Sequence, residues 1–106
     1  MCLVVYVASD DPLPTVAWDG ARPGFHVTEV TAADHPVRCR FAKPCVYYAG
    51  SHEWCGCGFQ YGEYEGYGEE ADLPRKRDSR RRLAEFLAVA LQHQPEVELF
   101  ACWDGD

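Results

Sequence analysis

The densest reactive chemistry in this chain lies in Ser51-His52-Glu53-Trp54-Cys55-Gly56-Cys57-Gly58. Two cysteines stand one residue apart, with a histidine three positions before the first and glycines beside both. Thiolate and imidazole are the ligands that zinc takes most readily in a tetrahedral site. If the segment is extended, both sulfurs project to one side of it; if it turns, the glycines let the backbone close around an ion. His52, Cys55 and Cys57 are therefore candidate ligands of a soft metal, with zinc the candidate cofactor. Cys45 is the candidate fourth ligand, and Cys39 and His35 could serve in its place. The spacing Cys39-x5-Cys45-x6-His52-x2-Cys55-x-Cys57 matches no zinc-finger pattern, because about two to four residues usually separate paired cysteines there.

The same groups could instead run thiol redox chemistry. A Cys-x-Cys disulfide closes a tight ring, and strained disulfides are labile and oxidising. An imidazolium beside a thiol also lowers its pKa. Covalent catalysis, with Cys55 or Cys57 as nucleophile and His52 as base, is less well supported. Neighbouring side chains on a strand point to opposite faces, so Glu53 is a poor orienting group for His52. No phosphate-binding loop, paired-carboxylate motif or Gly-x-Ser-x-Gly elbow is present, and no catalytic residue or enzymatic activity is assigned. The structural alternative makes Cys55 and Cys57 small packing residues beside Trp54 and Phe59, as Cys2 and Cys102 are expected to be in their strands.

The elements that must position this chemistry follow from hydrophobic pattern and punctuation. Residues 2–8 form a short continuous apolar run ended by Asp10-Asp11-Pro12, the signature of a central strand buried on both faces. Prolines and glycines between residues 9 and 24 exclude a long regular element. Strands are predicted at Phe25 to Thr31, at an edge over Val37 to Phe41, at Cys45 to Ala49 and at Val97 to Trp103. Leu83, Phe86, Leu87, Ala90 and Leu91 trace one buried helical stripe, with Asp78 or Ser79 as N-cap and Pro95 stopping the helix after Gln94. The helix lies between two strands, which suggests a right-handed crossover between parallel strands. The expected architecture is α+β: a small mixed sheet of four or five strands with one helix, from the C-terminal half, packed on one face.

A chain of 106 residues suits one domain, residues 1–106. Its formal charge of -7 argues against nucleic acid or an anionic membrane as partner, since both need a basic footprint. No apolar run approaches the roughly 20 residues that span a bilayer, and the start lacks the basic region of a signal peptide. A cytoplasmic location is expected, where clustered cysteines are more often metal ligands or redox groups than disulfides.

Residues 60–78 carry a second class of function. This stretch is rich in Gly, Tyr and Glu and lacks periodicity, and long loops of that kind tend to be mobile or to bind partners. Five acidic residues fall between Glu63 and Asp72, and six basic ones between Arg75 and Arg82. Tyr61, Tyr64 and Tyr67 offer aromatic contact area with polar tips. Under this alternative the protein is an acidic interaction module (an inhibitor, immunity-type or adaptor protein) that takes a basic protein partner, and its cysteines only pack. The sequence leaves oligomeric state open.

Overall fold

A computed structural model of the chain describes residues 2–31, 35–59 and 73–103. They form an α+β fold: a four-stranded antiparallel sheet and a single helix in the C-terminal half. The strands are β1 (Leu3–Ser9), β2 (His26–Glu29), β3 (Cys45–Gly50) and β4 (Glu98–Trp103), and the helix is α1 (Leu73–His93). Across the sheet the order is β2-β3-β1-β4.

The apolar run at the start takes the central place its composition implies. β1 pairs with β3 through Val5 opposite Ala49 and Val7 opposite Tyr47, and with β4 through Leu3 opposite Trp103 and Val7 opposite Leu99. Both pairings are antiparallel, so β3 and β4 run in the same direction with β1 between them. The connection through α1 therefore does link parallel strands, yet it passes over β1, and the sheet is antiparallel at every contact rather than mixed. A central place pairs both backbone edges of β1, whereas an edge place would leave a long apolar strand open to association.

Alternation along β1 divides the core into two layers. Val5 and Val7 point toward α1 and pack with Val27, Tyr47, Ala49, Phe25, Phe59 and Ala90. Ala8 points the other way and packs with Val30, Val37 and Val46, flanked by Tyr6, Tyr48, Phe41 and Phe100. On the helix, Leu83, Phe86, Leu87 and Ala90 pack on the core as the stripe predicts. Leu91 does not and is 49% exposed. On β4, Leu99 and Trp103 share the face of Val7 and Leu3 but stay exposed at 55% and 43%.

Two local expectations are corrected. Val37 to Phe41 is not an edge strand, because Pro36–Arg40 forms a turn of 3₁₀ helix. Pro36 supplies the fixed φ and needs no N–H partner in the first turn. His35 caps that turn, its Nδ1 accepting from the Val37 N–H at 3.2 Å. The helix starts at Leu73, so residues 73–78 belong to it and Asp78 and Ser79 are not its N-cap. Asp78 instead pairs with Arg81 and Arg82 one turn on, at 2.5 and 3.0 Å. Arg80 to Arg82 consequently lie past the first turn, and the cations facing the positive end of the dipole are Arg75 and Lys76.

The irregular segment after β1 is fixed by two buried polar links. The Leu13 N–H donates to the Tyr47 hydroxyl at 2.8 Å. Gln94, just past α1, accepts from the Asp10 and Asp11 N–H groups and donates to the Asp11 carbonyl. Tyr47→Phe leaves the buried Leu13 N–H unsatisfied and should cost about 1–3 kcal/mol, read as a lower denaturant midpoint at unchanged slope.

Candidate functional site

The segment leaving β3 is closed by one side chain. Ser51 is fully buried; its Oγ donates to the Cys55 carbonyl at 2.6 Å and accepts from the Glu53 and Gly58 N–H groups at 3.2 and 3.0 Å. The Ser51 N–H also donates to the Cys55 carbonyl, and the Trp54 N–H donates to the Ser51 carbonyl. This turn holds Trp54 at φ 77°, a left-handed geometry that costs a side chain roughly 1–2 kcal/mol. The indole compensates by stacking on His26 at 4.7 Å and meeting Trp18 edge-on at 4.9 Å.

After this turn, Gly56–Phe59 forms a second 3₁₀ turn that lies against the start of β1. Gly56 makes that approach possible: a Cβ there would sit 2.9 Å from Val5 Cγ2 and 3.0 Å from the Leu3 carbonyl oxygen. Gly58 is equally confined, by Ser51 and the His52 ring. The close approach brings Cys55 and Cys57 to Cys2, which directly precedes β1. The three Sγ atoms lie within 4.8 Å of one another, close enough to hold a metal ion. Cys2 is exposed and the other two are half-buried.

Backbone donors point at two of the sulfurs. The Leu3 N–H donates to Cys57 Sγ at 3.3 Å, and the Cys57 N–H reaches Cys55 Sγ at 3.5 Å. Such donors favour a charged sulfur. Burial acts the other way and is the larger effect at Cys55, whose pKa is pushed up to about 12, with the hydrogen bond from Cys57 opposing it. Without an ion this site therefore holds a neutral Cys55 thiol at pH 7.

The remaining sequence candidates lie elsewhere. His52 is buried on the helix side, where its N–H donates to Ser79 Oγ at 3.2 Å and its Nδ1 lies 3.0 Å from the same hydroxyl. It ties the loop to α1 and is not in the sulfur group. Cys45 opposes Ser9 at the other end of β1 from Leu3, about 20 Å away at roughly 3.3 Å per residue, and its thiol faces the Asp10 carbonyl. Cys39 is exposed in the first 3₁₀ turn. Tyr61, Tyr64 and Tyr67, with most of the 60–78 stretch expected to bind a partner, lie outside the described residues. Cys2 is the member that sequence reasoning did not place in the site. Its only signal was position, one residue before a central strand whose end must be covered by something.

Comparison of the chain with protein-family models, with curated proteins and with solved structures finds no match. Among the described residues no helix is long and apolar enough to cross a membrane.

The geometry makes two predictions about the loop. Ser51→Ala deprives the Glu53 and Gly58 N–H groups of their acceptor and should destabilise the protein by about 1–3 kcal/mol, in chemical denaturation. His26 concerns acid stability. Burial lowers its pKa from the ordinary 6.5, outweighing the backbone at Gly24 and Ser51, and its Nε2 is buried without a partner of good geometry. The unfolded chain binds a proton that the folded ring refuses, so stability should fall as pH drops below 6.5. His26→Phe, which keeps the aromatic stack, should remove part of that dependence in denaturant midpoints measured from pH 7 to pH 5.

Proposed function

We propose that this protein binds a soft metal ion through the thiolates of Cys2, Cys55 and Cys57. The observation that carries the reading is the convergence of three sulfurs from two segments more than fifty residues apart in the chain. Thiolate sets select zinc, copper(I) and related ions over harder cations. A zinc tetrahedron with bonds of about 2.3 Å needs sulfurs about 3.8 Å apart, so a group whose sulfurs lie within 4.8 Å of one another contracts by at most about 1 Å to reach it. The N–H groups of Leu3 and Cys57 support the same reading, because they would stabilise the negative sulfurs once an ion displaces their protons. Zinc, the ion expected from the sequence, needs a fourth donor beyond this trio, which water or another solute could supply.

Thiol redox chemistry is the second reading, favoured by the exposure of Cys2 beside two further thiols. A disulfide from Cys2 to either partner would consume the same sulfurs, so oxidation and metal binding exclude one another. The interaction-module alternative rests on Tyr61, Tyr64 and Tyr67 and makes a different demand, that cysteine variants leave partner binding intact.

Metal analysis of protein purified without chelator tests the proposal. One equivalent of zinc or copper is expected, lost in Cys2→Ser and in the Cys55→Ser/Cys57→Ser double variant. His52→Ala and Cys45→Ser should keep the metal, although the first is expected to lower stability by about 1–3 kcal/mol through its lost contact with Ser79. Metal that leaves with His52 and persists without Cys2 would refute the assignment.

A further inference from the structure

Among the described residues the sulfur group closes at three: no His, Asp, Glu or further Cys joins Cys2, Cys55 and Cys57. A trio of this kind suits an ion that completes its coordination with three sulfurs better than one that needs a fourth ligand. Resting on the soft-metal reading above, we infer that the site is three-coordinate and takes trivalent metalloids of the arsenic and antimony class, bound through all three thiols.

Two features of the site support this. The trio has a floor and a rim. Cys55 and Cys57 are half-buried against β1, while Cys2 is exposed and leaves one side open to solvent. A pyramidal three-coordinate centre uses that geometry directly, with its lone pair, and no ligand, on the side left free.

Charge gives the second support. Three thiolates around a divalent ion leave a net negative charge in a half-buried place, within a protein already at -7. Around a trivalent centre they leave none, and an uncharged centre avoids the desolvation cost that burial imposes on a charged one.

Arsenite reaches the site as the neutral trihydroxide, which carries its own acceptors. Three As–O bonds break and three S–As bonds form. Each thiol proton leaves with a hydroxide as water, giving three waters in all. No electron changes hands, so no oxidant or reductant is needed.

The test is titration of the reduced, metal-free protein with arsenite and, separately, with zinc. Binding is followed by intact mass, by the ultraviolet sulfur-to-arsenic absorption and by a count of free thiols. One arsenic per chain is expected, with three of the six thiols protected. Cys2→Ser should weaken binding by about tenfold or more and leave a two-sulfur adduct, whereas Cys45→Ser and Cys102→Ser should bind as the parent does. Arsenite should also displace zinc at equimolar concentration. Because Cys2 is exposed, its serine variant is expected to keep the fold, which circular dichroism checks. Arsenite affinity that ignores Cys2, or zinc that resists arsenite, would overturn the three-coordinate assignment while leaving the soft-metal reading in place. Binding of neither ion by the folded chain would overturn both.

Discussion

The Ser51 hydroxyl is the constraint on which the site depends. It is a single buried polar group at the end of β3, and its three hydrogen bonds reach residues 53, 55 and 58. Without them a glycine-rich segment has many accessible conformations and little apolar surface to choose among them. With them the chain reverses tightly enough to lay Gly56 on the β1 backbone. Every later feature of the site follows from that approach, including the meeting of the sulfurs and the burial that raises the Cys55 pKa. The energetic cost appears at Trp54, whose left-handed backbone is held by its indole packing on His26 and Trp18. Strain of this kind persists only where the surroundings over-determine it.

Much of the fold was legible because it is written in local periodicity. The apolar run at residues 2–8 announced a strand buried on both faces, and the structure centres the sheet on it. The spacing of Leu83, Phe86, Leu87 and Ala90 gave the buried face of α1, and Pro95 gave its end. The failures were also local, and each had a competing signal. Val37 to Phe41 alternates like a strand, yet Pro36 and the His35 cap commit it to a 3₁₀ turn. Asp78 has the chemistry of an N-cap, but Arg81 and Arg82 make it equally useful as an ion-pair partner inside the helix. Pattern alone also could not order the strands, since the choice between a mixed and an antiparallel sheet depends on which strand pairs with which.

The site was half legible. Cys55 and Cys57 stood out through composition, because two cysteines among glycines are reactive chemistry wherever they fall. The structure does not bring the other ligands expected from the sequence to these sulfurs. His52 is near in sequence but turns to α1, where Ser79 offers a hydroxyl in a buried position. Cys45 is also near in sequence, yet it sits at the opposite end of a strand. Cys2 is remote in sequence and close in space, because antiparallel pairing places the exit of β3 beside the entry of β1. Proximity along the chain predicts proximity in space only within one element, and this site is built between elements.

The topology has a consequence for how the protein is made. β1 precedes the other described strands in the sequence and lies in the middle of the sheet, with Leu3 opposite Trp103 of β4. During synthesis β1 therefore emerges with an apolar flank that stays bare until β4 has also emerged. Domains dominated by such distant pairings fold slowly, and their unpaired edges invite association before the fold closes. Cys2 waits alongside that strand as an unprotected thiol. The meeting of Cys2 with Cys55 and Cys57 ties β1 to the segment after β3, two parts of the chain that both precede β4.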